Sequence, residues 1–291
     1  HSRETFDAAL GTSEQIATDL FLPHNRKADL NEPHLDGERV HLIPEVKPAL
    51  EAFAQAGLIA AGHDYELGGM QLPTLLEKAC MAWFMGANVA TAGYPFLTIG
   101  NANLLLAHGT PAQVDMFVRP MLAGRFFGTM CLSEPQAGSS LSDIRTRADA
   151  DGDGAYRLSG NKMWISGGEH DLAENIVHLV LAKTPGPDGR LLPGVKGISL
   201  FVVPKFLVNT DGSLSERNDV ALAGLNHKMG YRGTVNTLLN FGEGRFTPNG
   251  KAGAIGYLVG ELNRGLNCMF HMMNEARIGV GLGATMLGYT G

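Results

Sequence analysis

The spacing of apolar residues changes along the chain, from helical to alternating and back to helical. Residues 45–56 carry apolar side chains three or four positions apart, which is the spacing of one helical face. Helical spacing continues in residues 72–90 and 99–108, on either side of a loop predicted at Gly93 to Pro95. We therefore predict an all-helical N-terminal domain over residues 1–125.

An alternating pattern begins near residue 126. Residues 176–182 and 197–203 are dense in β-branched and large apolar residues, and turn-forming residues separate them. The other predicted strands cover residues 145–150, 155–159, 162–165 and 235–241. Short turns rich in Gly and Asn join the strands, so we predict a mainly antiparallel β-barrel or sandwich over residues 126–247.

Helical spacing returns after Pro248. Between Gly265 and Leu287 apolar side chains recur every three to five positions, enough for a helix of about 20 residues. One long helix cannot bury its apolar face alone. Residues 248–291 are therefore predicted to be the first helix of a C-terminal helical domain, whose other helices come from a partner or from sequence not present here. The predicted fold class is α+β and multidomain.

Composition narrows the possible functions. The chain has 291 residues, of which 44% are hydrophobic, enough for one large or two moderate cores. Its net charge of −6 and its lack of Lys or Arg runs argue against a nucleic-acid partner. No apolar stretch reaches the roughly 18 residues of a membrane span, and His1-Ser2-Arg3-Glu4 is not the start of a signal peptide. We predict a cytoplasmic protein with no membrane span.

The sequence predicts neither a metal site nor a disulfide. Its three cysteines are scattered in apolar surroundings, as reduced core thiols are, and none of its ten histidines pairs at i and i+4. Residues 149–154 resemble the first half of a calcium-binding EF-hand loop, but the twelfth position, which needs a bidentate Glu, is Gly160. A β-turn is predicted there instead. The glycines of residues 279–283 lack the spacing and the strand of a dinucleotide-binding motif, so they are predicted to allow close helix packing.

Two polar segments carry the candidate chemistry. The first runs from Cys131 to Ser139 and the second from Lys162 to Gly168. A short strand ending in a hydroxyl is followed by a turn with Pro and Gly, which exposes backbone N–H groups, and a second strand carries Trp and Ser. Such segments can hold a flat, electron-poor ring that forms hydrogen bonds along its edge.

In this order, the two segments resemble the acyl-CoA dehydrogenase family, in which they line the isoalloxazine ring of FAD. The resemblance spans nearly the whole chain. Further segments in family order are Gly57–Gly69, Gln113–Gly124, Lys228–Thr234, Val259–Glu261 and Met273–Arg277. The run from Gly167 to His170, together with a long insertion at Pro185 to Pro193, is most similar to the larger bacterial members, including those acting on 3-methylmercaptopropionyl-CoA.

The resemblance implies a bacterial, FAD-dependent oxidoreductase of fatty acid β-oxidation. Such an enzyme converts an acyl-CoA thioester to the 2-enoyl-CoA and passes the electrons to an electron-transferring flavoprotein. At full length it would be a homodimer or a dimer of dimers. Two other functions stay open. One is a flavin oxidase or monooxygenase on the same fold, and the other is a non-catalytic flavin or acyl-CoA binding member of the alkylation-response type.

The resemblance also implies roles for individual residues. The Ser133 hydroxyl would donate to the pyrimidine end of the flavin, Trp164 would pack against the ring and Ser166 would bond near N5. The implied FAD contacts are Met130, Cys131, Leu132, Ser133, Gly138, Ser139, Trp164, Ile165 and Ser166. The implied acyl-CoA contacts are Ser139, Asn274 and Arg277. These implied roles have structural alternatives. Trp164 can pack in the core, Glu134-Pro135 can be only a turn, and Arg277 can be a charged residue on the surface of a helix.

The segments that resemble the family do not include its catalytic base, the Glu that removes the α-proton of the substrate. In one branch of the family a Glu immediately precedes the Arg of the helical segment, but this chain has Ala276 there. Glu275 lies one residue further back, about 100° around the helix, so it should point elsewhere. In the other branch the Glu lies in the C-terminal helical domain. We therefore expect the base beyond Gly291, with Glu275 as the alternative, and expect this chain to be a fragment of a longer enzyme.

Overall fold

The computed structural model describes residues 1–37 and 39–291, in which a helical region, a β-region and a long last helix follow one another. The α-helices are α1 (Arg3–Ile16), α2 (Asn25–Leu30), α3 (Val46–Gln55), α4 (Thr74–His108), α5 (Pro111–Gln113), α6 (Arg119–Leu122) and α7 (Gly265–Thr290). The strands are β1 (His34–Asp36), β2 (Arg39–His41), β3 (Phe126–Cys131), β4 (Arg147–Ala150), β5 (Ala155–Ser166), β6 (Asn175–Lys183), β7 (Ile198–Pro204), β8 (Phe206–Val208), β9 (Leu214–Arg217), β10 (Val220–Leu225), β11 (Asn236–Phe241) and β12 (Ala254–Val259). The predicted α+β fold class is confirmed.

The main sheet closes on itself. Its strand order is β10-β11-β5-β12-β7-β6-β3, and β4 pairs with both β5 and β6. Because β5 and β6 are separated by two strands along this path, β4 completes a ring of five strands. The β3–β6 and β4–β6 pairs are parallel and the other pairs of this sheet are antiparallel. The arrangement is therefore the barrel rather than the sandwich.

Several element boundaries differ from those predicted. Residues 155–159 and 162–165 belong to one strand, β5, and β12 lies in residues predicted to be helical. The long helix begins at Gly265, as its apolar spacing predicts, but the residues between Pro248 and Gly265 carry the strand β12. The predicted all-helical region also contains the short β1–β2 hairpin. The strand β12 pairs with β5 and β7 on its two edges and is mostly buried, so its sequence lacks a simple alternation.

Helix α4 bends sharply at Asn88, whose backbone leaves the helical region (φ −161°, ψ 87°). The Asn88 side chain caps the second half of the helix, because its Oδ1 accepts a hydrogen bond from Thr91 N at 3.1 Å. The loop predicted at Gly93 to Pro95 is therefore wrong in position, since both residues lie inside the second half. The break falls five residues earlier, where a buried Asn supplies the cap.

Two buried cores hold these elements together. The larger packs the helices against the outer face of the sheet, and the smaller fills the barrel. At the centre of the helical part, the Phe84 ring makes edge contacts with Phe21 and Phe53, with centroids 4.9 and 4.7 Å away. Helix α7 packs closely on α4, because a Cβ atom at Gly279 would lie 2.2 Å from the Phe96 ring. The predicted role in close helix packing is confirmed for Gly279 and is wrong for Gly281, where a Cβ atom would meet no other atom within 4 Å.

Candidate functional site

The first predicted segment leaves the barrel at the end of β3. Cys131 is buried, whereas Leu132 and Ser133 are half-buried and Ser139 is exposed. Between them the chain makes a tight turn, in which Glu134 N donates to Ala137 O at 2.8 Å and Ala137 N donates back to Glu134 O at 3.0 Å. The turn thus carries the backbone from the barrel interior to its rim, with Gly138 and Ser139 at the surface.

The second segment contains a β-bulge that points Trp164 outward. Lys162 pairs with Leu239 and Ile165 with Thr237, so β5 has one residue more than β11 between these pairs. Trp164 has a left-handed backbone (φ 65°) and its side chain is 54% exposed. A bulky residue in this conformation is an outlier. Trp164 is not core packing, so that alternative is wrong.

A backbone hydrogen bond brings the two segments side by side. Met163 N donates to Ser133 O at 2.9 Å, directly before Trp164. Further along β5, the Ser166 hydroxyl accepts a hydrogen bond from Asn236 Nδ2 at 3.2 Å. Exposed or half-buried hydroxyls and an exposed indole therefore share one rim of the barrel.

A buried ion pair lies beneath this rim. Lys162 is 0% exposed, and its Nζ donates to Leu132 O at 2.9 Å and to Glu134 Oε1 at 3.0 Å. Glu134 also accepts from Arg145 N, Thr146 N and Thr146 Oγ1 at 2.7, 2.9 and 2.5 Å. Burial would raise the pKa of Glu134, but Lys162 and these donors outweigh it and hold that pKa below its ordinary value. One carboxylate thus links three stretches of chain around the candidate site.

This ion pair was not predicted as part of the site. Both residues occur in the two polar segments, but nothing assigned them a role. The available signal was a Lys at an inward position of an apolar strand, since a buried Lys requires a charged partner. Glu134-Pro135 is indeed a turn, and its Glu is also structural support for the rim.

Two of the predicted FAD contacts have buried side chains. Cys131 and Ile165 are 0% and 1% exposed, so only their backbones can meet a ligand at the rim. Burial raises the pKa of the Cys131 thiol to about 12, which leaves it unreactive. Met130 is half-buried on β3.

The predicted acyl-CoA contacts on α7 form a separate exposed pair. Arg277 Nη1 donates to Asn274 Oδ1 at 3.0 Å, one helical turn away, and its guanidinium lies 5.4 Å from the centre of the Phe270 ring. Both residues are exposed. Among the described residues, no hydrogen bond or ion pair joins Asn274 or Arg277 to the barrel rim.

Glu275 points in another direction, toward α4. Lys78 Nζ donates to Glu275 Oε1 at 2.9 Å, and Asn103 Nδ2 donates to Glu275 Oε2 at 2.8 Å. Burial would raise the pKa of Glu275, but the contacts with Asn103 and Lys78 outweigh it and hold the pKa below its ordinary value. A carboxylate with both oxygens occupied and a lowered pKa is poorly suited to remove a proton from carbon.

The EF-hand look-alike is a hairpin turn between β4 and β5. Asp151 N donates to Ala155 O at 2.9 Å, and the Asp151 carboxylate pairs with Arg157 and Lys251. The predicted β-turn is confirmed.

In the part of the chain that the structure describes, no three His, Cys, Asp or Glu side chains are grouped to hold a metal ion. No helix of that part is both long and apolar enough to cross a membrane.

Comparison with known proteins identifies the class of the β-region and then the family of the chain. Residues 129–242 match the family described as acyl-CoA dehydrogenase, middle domain. The 3-methylmercaptopropionyl-CoA dehydrogenase of Ruegeria pomeroyi is 39% identical over 94% of this chain and 44% of its own length. A butyryl-CoA dehydrogenase of Syntrophomonas wolfei is 34% identical over 96% of this chain and 45% of its own length. The chain belongs to the acyl-CoA dehydrogenase family.

Comparison with solved structures shows that acyl-CoA dehydrogenases share the fold of this chain. The crystal structure of an acyl-CoA dehydrogenase from Bacillus anthracis, complexed with FAD, superposes on 98% of this chain and 43% of its own with a TM-score of 0.75 and 20% identity. The predicted family resemblance is therefore confirmed. The chain spans less than half the length of these two curated relatives.

Proposed function

We propose that this chain forms the flavin-facing part of an FAD-dependent acyl-CoA dehydrogenase. The observation that carries the proposal is Trp164, an exposed indole held in a left-handed bulge beside the turn that carries Ser133 and Ser139. The β-bulge holds the Trp164 indole ring at the surface, among hydroxyl and backbone hydrogen-bond donors. Such a surface fits a flat heteroaromatic ligand. The FAD held by the Bacillus anthracis relative supports this choice of ligand.

In the proposed site, residues of this chain bind and orient FAD and the acyl-CoA. Trp164 would stack on the flavin ring, while Ser133, Ser166 and the backbone from Leu132 to Ser139 would donate hydrogen bonds to its polar edge. FAD, when bound, supplies the acceptor for the hydride that leaves the β-carbon of the substrate. Ser139, Asn274 and Arg277 contact the acyl-CoA and hold it against the ring.

We propose that the catalytic base lies outside residues 1–291. Glu275 is occupied by Lys78 and Asn103, and Ala276 stands where one branch of the family has its Glu. The whole enzyme would work in the bacterial cytoplasm, pass electrons to an electron-transferring flavoprotein and assemble as a homodimer or dimer of dimers. Its substrate is an acyl-CoA thioester, and its product is the 2-enoyl-CoA.

The two tryptophans of this chain provide a matched test of the flavin site. Trp164 and Trp83 are 54% and 40% exposed, and only Trp164 lies in a polar segment. We expect Trp164→Ala to weaken FAD binding about tenfold, because a stacked aromatic pair contributes roughly 0.5–1.5 kcal/mol beyond its buried area. The measurement is an anaerobic titration of FAD, followed by the visible spectrum and by tryptophan fluorescence.

The control is Trp83→Ala, which should bind FAD as the wild type does. Equal losses in the two variants, or no flavin binding by the wild-type chain, would contradict the site. Rapid reaction of the photoreduced flavin with oxygen would instead favour an oxidase or monooxygenase on this fold. Flavin binding without flavin reduction by any acyl-CoA is the result expected if the catalytic base lies outside residues 1–291.

A further inference from the structure

We propose that Glu275 is a positioning residue, which sets the rotation of α7 on α4 and thereby the direction in which Asn274 and Arg277 face the acyl-CoA. The inference rests on the proposed function of Asn274 and Arg277 as acyl-CoA contacts. It assigns Glu275 a part in substrate binding that does not involve proton removal.

The Glu275 carboxylate joins the two halves of the bent helix α4. Lys78 lies before the bend and Asn103 after it, and each donates to a different carboxylate oxygen. In a straight helix these two residues would be about 37 Å apart, far beyond the reach of one side chain. The two halves of α4 therefore fold back on each other, and Glu275 lies where both of them meet α7.

Further polar contacts fix the two donors of this cluster. Lys78 Nζ also donates to Glu77 Oε1 at 2.9 Å, and Asn103 Oδ1 is 2.9 Å from His63 Nε2. Asn103 thus receives a hydrogen bond on its oxygen when the His63 Nε2 carries a proton, and donates one from its nitrogen. The Lys78 and Glu275 side chains are 28% and 22% exposed, so water competes only partly for the ion pair. Each donor has little freedom to follow Glu275 if α7 moves.

The geometry of a helix connects this cluster to the exposed pair. With about 100° between successive residues, Asn274 and Arg277 lie about 60° apart on the side of α7 that faces away from Glu275. Rotation of α7 by one residue position would turn both side chains by about 100° and would break both hydrogen bonds of Glu275. Close packing of Gly279 on Phe96 and the hydrogen bond from Thr290 Oγ1 to Gly86 O at 3.0 Å also hold α7 on α4. Glu275 adds a charged group that bonds to both halves of α4 from the turn of α7 that carries Asn274 and Arg277.

The test compares Glu275→Gln, Lys78→Met and the double variant with Glu261→Gln, a change at an exposed acid before α7. Free CoA is the probe, and its affinity is measured by calorimetry on the full chain. We expect each single variant to bind CoA about tenfold more weakly, which corresponds to about 1.4 kcal/mol. The double variant should lose little more than either single one, because both changes remove the same contact. Glu261→Gln should bind as the wild type does.

Two further measurements separate this role from its alternatives. Hydrogen exchange of α7 amides should become faster in Glu275→Gln, and Glu275→Asp should recover part of the CoA affinity. Unchanged CoA affinity in Glu275→Gln would overturn the inference. So would reduction of FAD by acyl-CoA in the wild-type chain that is lost in Glu275→Gln but kept in Lys78→Met, since that result identifies Glu275 as a base. If the wild-type chain fails to bind CoA, the proposed substrate contacts are refuted, and the exchange rates alone decide whether Glu275 fixes α7.

Discussion

Replacing Lys162 by methionine is expected to lower the free energy of unfolding by about 3–5 kcal/mol, because the change leaves the Glu134 carboxylate buried without its counter-charge. The side chains of Lys162 and Glu134 are 0% and 3% exposed, so water cannot replace the missing partner. The loss should also reach the candidate site. Without Lys162 Nζ, the Leu132 carbonyl loses its donor, and of the contacts described between this turn and β5 the backbone hydrogen bond from Met163 N to Ser133 O remains.

Urea unfolding followed by far-ultraviolet circular dichroism measures this loss. The double variant Lys162→Met/Glu134→Gln should be less destabilised than the sum of the two single variants, since it removes both charges together. Lys47→Met, at an exposed position of α3, is the control and should change stability by less than about 0.5 kcal/mol. A loss below about 1 kcal/mol in Lys162→Met would contradict the structural role of the pair.

Replacing Phe84 by alanine is expected to cost about 3–5 kcal/mol of unfolding free energy. Phe84 is fully buried on the first half of α4, and its ring meets those of Phe21 and Phe53 edge to face. Truncation to alanine removes the apolar area of one ring and leaves a cavity between three elements. The neighbouring rings cannot fill it without leaving their own packing.

The same urea titration measures this second loss, and Leu75→Ala provides the comparison. Leu75 lies on the same half of α4 but is 79% exposed, so its truncation should cost less than about 0.5 kcal/mol. Similar urea midpoints of unfolding for Phe84→Ala and Leu75→Ala would show that the Phe84 ring is not at the centre of the helical core. A Phe84→Leu variant should fall between them, because it refills part of the cavity.

Helices with one apolar face were predictable, whereas the bend in α4 was not. Helix α3 buries Val46, Leu50 and Phe53 on one side, as the spacing of its apolar residues indicates. The second half of α4 is buried almost all round, so its sequence has no polar face that would mark its start. Gly93 and Pro95 look like a break, but the break is made by Asn88, whose capping role depends on the tertiary position of its side chain.

The bulge in β5 explains why the burial of its residues departs from the alternation of a regular strand. In a regular strand, residues three apart face opposite sides, yet Lys162 and Ile165 are both buried. The extra residue in the bulge restores the inward direction of Ile165 and turns Trp164 outward. The division of β5 into two predicted strands has a different cause, because it falls at Gly160 and Asn161, two residue types that favour turns.

Much of the candidate site was predicted from its two polar segments, and the supporting contacts were not. The order of the segments and their Trp and Ser residues are local features of the sequence. The partners of Lys162 and Glu275 are 28 and 197 residues away along the chain, so only the folded structure pairs them. The sequence also could not distinguish an exposed Trp164 from a buried one, because the bulge that exposes it has no Gly.

The contact between Lys78 and Glu275 also bears on how the protein forms during synthesis. The two residues are 197 positions apart, and a ribosome adds about 5–20 residues per second. For roughly 10–40 seconds after Lys78 has been made, its ammonium group has no carboxylate on α7 to meet. Until α7 is made, Lys78 and Asn103 keep only their contacts with Glu77 and His63, and the apolar surface that α7 covers, such as the Phe96 ring, is open to aggregation.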